Sequence, residues 1–213
     1  VDGYDDAPRV MMTYNPPYYK ELIERFGFEK AMDLYAYKLD VDLYGGSVNG
    51  MPPKLLRVVE RTRQRSGIVV RKVNMKRYDE EVALVKRVYN SAWEKNWGFV
   101  PMTEAEFDHL AKGLKAFLDP DLVLIAEKDG EFVGFSLSLP DICQALLAAY
   151  PSPSPGVLAE NWTTLKLLWH WKVRPKITWI RVIAMGVVEE WRAHGVAAQF
   201  YYCLLYTSDA ADD

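Results

Sequence analysis

The sequence predicts an α/β fold of the α+β kind, with helices flanking a β-sheet. Three observations point there. From residue 67 onward, strand-like runs alternate with amphipathic helical runs. Asp129-Gly130 joins two apolar runs, a strong signal for a type I′ hairpin. "TWIRVIAMGVV" (178–188) is continuously apolar and feeds a glycine loop and then a helix. Such a run predicts a central strand buried on both faces.

The elements follow in order. "PPYYKELIERFGF" sets Tyr18, Leu22, Ile23 and Phe26 on one helical side, and Gly27 ends it. "KAMDLYAYKLD" (30–40) alternates Met32, Leu34 and Ala36 against Tyr35, Tyr37 and Leu39, as a strand does. "YGGSVNGMPP" (44–53) reads as a linker. The next short helix stops near Gly67, and Lys54, Arg57, Arg61, Arg63 and Arg65 form its solvated face. "GIVVRKV" is a strand, and residues 77–93 are a helix with Tyr78, Val82, Val85, Tyr89 and Trp93 on one face. Thr103 and Glu106 form a capping box for a helix that faces the core with Phe107, Leu110, Leu114 and Phe117. The hairpin strands are "LVLIAE" and "EFVGFSLSL". In the second, Val133, Phe135, Leu137 and Leu139 oppose Gly134, Ser136 and Ser138. A short helix, a Pro/Ser loop and a helix over 157–173 precede the long apolar strand. After it come the loop "EEWRAHG" and a helix with Val196, Phe200 and Cys203 or Leu204 inward.

Composition narrows the function classes. The chain has 213 residues, a formal net charge of -3, 50% hydrophobic and 26% charged residues. This is an ordinary soluble composition, and the near balance of charge supports neither a nucleic-acid nor a membrane-surface partner. Cys143 and Cys203 form no CxxC and have no His at ligand spacing, so no metal site is indicated and a cytoplasmic location is expected. GxSxG and GxGxxG are missing, which leaves a hydrolase elbow and a Rossmann site unsupported. The opening Val1 suggests a chain that begins inside a longer protein.

The loop carries the chemical interest. Arg192, Gly195 and Ala197 form R-x-x-G-x-A between an apolar strand and an amphipathic helix. Unpaired N–H groups and the macrodipole make a helix start attractive to anions, and a glycine lets the backbone approach a ligand. A glycine in an ordinary strand-to-helix turn has the same pattern.

"RVIAMGVVEEWRAHGVAAQFYY" resembles the acyl-CoA-binding segment of the GCN5-related N-acetyltransferase (GNAT) superfamily. The resemblance covers about residues 67–206 and implies a central mixed β-sheet whose C-terminal strands are missing. It divides the chain into a remnant of a preceding GNAT-like domain (1–43), a linker and short helix (44–66), an incomplete acyl-CoA-binding domain (67–206) and a non-native tail (207–213). "CLLYTSDAADD" resembles translated read-through of a sequencing adaptor. The implied activity is acetyl transfer from acetyl-CoA to a small-molecule or peptide amine, with a fragment this short expected to be inactive. A non-catalytic acyl-CoA-binding or structural domain is the alternative. Arg192, Ala193, His194, Gly195, Val196 and Ala197 would hold the pyrophosphate, and the backbone of Met185 and Val187 the pantetheine arm and carbonyl. Glu189 and Glu190 would serve as base, and Trp93, Trp97 and Phe99 would shape the acceptor pocket. The acceptor, the general acid and the oligomeric state stay open.

Overall fold

The structure, a computed structural model, describes residues 5–45, 50–150, 156–173 and 176–209. Parts of three expected features lie outside them: the linker at 46–49, the Pro/Ser loop at 151–155 and the tail at 210–213. The chain divides into two compact units, residues 1–38 with 140–181, and residues 39–139 with 182–213.

Most of a sheet lies in the second unit. Its strands β1 (Ile68–Lys72), β2 (Val123–Lys128), β3 (Glu131–Pro140) and β4 (Ile180–Val187) lie in the order β1-β2-β3-β4. β1 pairs antiparallel with β2, and β2 with β3. Val188 N–H donates to the Val133 carbonyl and Asp141 N–H to the Trp179 carbonyl, so β4 also runs antiparallel to β3. The sheet of the described residues is therefore antiparallel, where a mixed one was expected. Each connection that could have been a parallel crossover returns the chain in the opposite sense.

The hairpin is of the expected type. Asp129 and Gly130 have φ of 52° and 85°, the left-handed pair that a type I′ turn needs. Ala126 pairs with Gly134 and Glu127 with Phe132, so Val133 is an extra residue that bulges β3.

Helices cover both faces. α2 (Pro53–Ser66) and α7 (Val196–Asp209) lie on one, where Val196, Phe200 and Leu204 pack with Ile68, Leu124, Ala126 and Val133. α3 (Tyr78–Trp93) lies on the other, with Trp93 against Phe135 at 5.8 Å between ring centres. α4 (Glu104–Leu114) has the expected capping box, and the Tyr78 hydroxyl donates to its Ala111 carbonyl at 2.8 Å. Under α3, the Arg71 guanidinium bridges buried Glu81 and half-buried Glu127 at 2.8 and 2.6 Å. The basic side chains of α2 are exposed, as their spacing suggested.

Among the described residues the expected central strand is an outer one. β4 ends the strand order, and most of its residues are half-buried. A continuous apolar run fits two-sided burial, but it cannot say how many neighbours a strand has.

In the first unit α1 (Tyr18–Arg25) buries none of its residues. The strand expected at 30–40 does not form: Leu34, Tyr35 and Tyr37 are 76%, 75% and 94% exposed. Alternation alone supplies no neighbouring strand for the stretch to pair with. α5 (Ile142–Ala149) is capped by Asp141, whose buried carboxylate accepts from Cys143 N–H, Val10 N–H and Arg9. α6 (Val157–Leu168) continues as a wide turn, Trp169–Val173. No helix of the described residues is long and apolar enough to cross a membrane.

Candidate functional site

Most of the residues singled out in the sequence lie at the C-terminal end of β4. Three elements meet there: β4, the 3-10 turn Glu189–His194 and the end of α3. β4 supplies backbone groups. Val188 N–H bonds to β3, so by strand alternation the N–H and C=O of Met185 and Val187 point to the opposite edge. The Val187 carbonyl is engaged there by Arg192 Nε–H at 3.2 Å. Met185 and Val187 side chains pack on the core below.

The turn locks itself to α3. Arg192 also donates to the Ser91 carbonyl at 3.5 Å, in the last turn of α3. A guanidinium there satisfies a helix-end carbonyl and complements the negative end of the dipole. Lys95 Nζ lies 3.1 Å from Glu189, and that pairing holds the exposed Glu189 carboxyl below its ordinary range. Glu190 is exposed beside it. Trp191 half-buries against the core, and exposed His194 packs on its ring at 5.0 Å.

Gly195 has φ 76° and ψ 18°, and a Cβ there would overlap Thr62 Oγ1 of α2 and reach Val58 Cγ1 at 3.4 Å. The glycine thus lets the turn press on α2. Val196 is fully buried, and Ala193 and Ala197 are exposed.

Trp93 reaches this end of the sheet. A Cβ at Gly186 would sit 3.0 Å from Trp93, so the absent side chain is what admits the ring. The Tyr89 ring lies tilted against those of Trp93 and Phe99, at 4.9 and 6.0 Å between ring centres. Trp97 is 59% exposed and stands apart from this cluster.

Sequence reasoning missed Lys95, Ser91 and Thr62. Each acts through a partner far away along the chain, and no local pattern marks it. It also missed three buried polar side chains, Ser136, Ser138 and Gln199. Ser136 Oγ, Ser138 Oγ and Gln199 Nε2 have no hydrogen-bond partner among the described residues. The alternation read for β3 fails at Val133, which packs with Val196 and Phe200 while Phe135 meets Trp93, and it did not foretell the burial of the serines.

No family model matches the chain. Over 192 residues it is 38% identical to a bacterial ceramide synthase of Caulobacter vibrioides (strain NA1000 / CB15N), covering 90% of this chain and 46% of that protein. Over 193 residues it is 34% identical to protein YghO of Escherichia coli (strain K12), again 90% of this chain and 46% of that protein. The chain thus spans about half the length of the curated relatives it matches. These findings overturn the resemblance to the GNAT superfamily: neither relative bears an acetyltransferase name, and no family model supports membership. The N-acetyltransferase function drawn from that resemblance, and its non-catalytic GNAT alternative, fall with it. The pattern that suggested them is short, and contacts within the chain account for two of its three residues. Arg192 ties backbone carbonyls, and Gly195 clears Thr62.

Proposed function

We propose that this chain is part of an enzyme that forms the amide bond of a ceramide-type lipid. The observation that carries the reading is the 38% identity to the Caulobacter ceramide synthase, which extends over 90% of the chain. A ceramide is the amide of a fatty acid and a long-chain amino alcohol. Making it from an activated fatty acyl donor requires attack of the amine nitrogen on the acyl carbonyl carbon. The C–N bond forms, the bond to the leaving group breaks, and the nitrogen loses a proton.

The end of β4 offers parts suited to this. Outward backbone N–H groups at Met185 and Val187 can polarise an acyl carbonyl laid along the edge. Glu190 can take the amine proton, since Glu189 is engaged by Lys95. Trp93, over Gly186, gives an apolar wall beside that edge.

The test is a chimaera in which this chain replaces the matching segment of the Caulobacter protein. The reading expects ceramide from an activated fatty acyl donor and a long-chain amino alcohol. A folded chimaera that forms none would refute it.

A further inference from the structure

α6 is built the wrong way round for a helix in water. Leu158, Trp162, Leu165 and Trp169 follow one another at helical spacing, and Val173 prolongs their stripe. They are 87%, 60%, 58%, 49% and 59% exposed. The half-buried side carries Thr163, Lys166 and His170 beside Ala159 and Leu167, while Glu160, Asn161 and Thr164 share the exposed side with the apolar residues. A solvated helix turns its polar stripe outward. Adjoining α5 adds exposed Leu146, Leu147 and Tyr150 to the same unit.

The charge around this stripe is mostly positive: Glu160, exposed in the first turn, is the one acidic residue of α6. From Asn161 to Ile180 there is no acidic residue, while Lys166, Lys172, Arg174 and Lys176 are basic. The Lys172 ammonium lies 4.2 Å from the centre of the Trp171 ring, and Lys166 lies 6.0 Å from that of Trp162. Tryptophan beside lysine, on an apolar helix face too short to span a bilayer, matches the chemistry of the lipid–water interface. Indole rings settle at headgroup depth, aliphatic side chains reach the acyl boundary, and clustered cations meet anionic headgroups.

We infer that the exposed face of α6, continued by Trp169–Val173, is a docking surface for an anionic lipid bilayer, on which the helix lies in the plane of the interface. A protein surface would need no clustered cations beside the tryptophans, and the excess of basic over acidic residues along 157–180 favours the bilayer. The inference goes beyond the amide-forming reading and stands without it.

The experiment is sedimentation of the 213-residue chain with vesicles. One set contains phosphatidylglycerol in phosphatidylcholine, the other phosphatidylcholine alone. The chain should pellet with the anionic vesicles and much less with the neutral ones, and added salt should release it. Leu158→Asp with Leu165→Asp should lower the partition about tenfold or more. Both positions are exposed, so the fold should persist, as checked by circular dichroism. Lys172→Glu with Lys176→Glu should lower it independently by removing the charge attraction. Val100→Asp, at a 79% exposed position in the other unit, should leave it unchanged. Failure to pellet, equal binding to both vesicle types, or binding indifferent to the leucine pair would overturn the inference. So would a dimer that the leucine pair dissolves while vesicle binding persists, since the occupant would then be protein.

Discussion

Gly195 allows two contributions to be separated, because another glycine shares its backbone. Gly195 has φ 76° and ψ 18°; Gly45 has φ 74° and ψ 23°. Both belong to the same compact unit. An alanine at either site meets the left-handed penalty, about 1–2 kcal/mol. Each also gains about 0.4–1 kcal/mol from a stiffer unfolded chain. These contributions match at the two sites and cancel in the difference. What remains is contact. A Cβ at Gly45 meets nothing within 4 Å, whereas at Gly195 it overlaps Thr62 Oγ1 of α2. Thr62 is 7% exposed and β-branched, so it cannot swing away freely. Overpacking of this kind costs about 1–3 kcal/mol. Gly195→Ala should therefore destabilise the unit by about 1–3 kcal/mol more than Gly45→Ala does. Thr62→Ala in the Gly195→Ala background should return most of that difference. Native-state hydrogen exchange of the buried Ile125 and Ala126 amides reads the stability of this unit without requiring the whole chain to unfold in one step. Equal costs for the two alanines, within about 0.5 kcal/mol, would refute the claim that the turn is pressed onto α2.

Three further outcomes follow from named contacts. Removing the Lys95 charge (Lys95→Ala) should raise the pH midpoint of Glu189, because the ion pair is what holds that carboxyl low; carboxyl-detected NMR titration reads it, and an unmoved midpoint contradicts the pairing. Arg71→Met should cost about 3–5 kcal/mol, since it leaves the buried Glu81 carboxylate without its cation; adding Glu81→Leu should recover most of the loss in the same exchange experiment. Asp141→Ala should remove the cap of α5 and the anchor of residues 9 and 10 together, about 2–3 kcal/mol, and deprotect the Val10 and Cys143 amides, whereas Asp141→Asn should keep the cap; retained protection in the alanine variant would contradict the assigned bonds.

What the sequence made legible was local. Asp129-Gly130 specifies its turn through two adjacent dihedrals, and Thr103 with Glu106 closes a ring of four residues. The periodicity of α3 likewise needs only its own residues. The strand expected at 30–40 failed because alternation says that two faces differ, not that either has a partner. β4 was misplaced for a related reason: apolar content reports burial, while neighbour number depends on the rest of the sheet. The candidate site was legible as a neighbourhood, since Met185 to Ala197 are contiguous. Its contacts were not, because Lys95, Ser91 and Thr62 reach it from 94, 101 and 133 positions away along the chain. Net charge is likewise a sum over the whole chain. A value of -3 for the whole chain conceals a stretch from Asn161 to Ile180 with four bases and no acid. The loop pattern Arg192, Gly195, Ala197 carried a family resemblance that the relatives do not support. Short patterns built on glycine recur wherever a turn must lie close against a helix.

The measurement that bears most directly on the proposed chemistry is the identity of the bond the chimaera makes. A long-chain amino alcohol offers both nitrogen and oxygen to an acyl donor. Supplied with a ¹⁵N-labelled amino alcohol, the chimaera should release a lipid that survives mild alkali and carries the label on an acylated nitrogen, read by mass spectrometry and NMR. A product that mild alkali cleaves, with the acyl group on oxygen and the amine left free, would contradict the account.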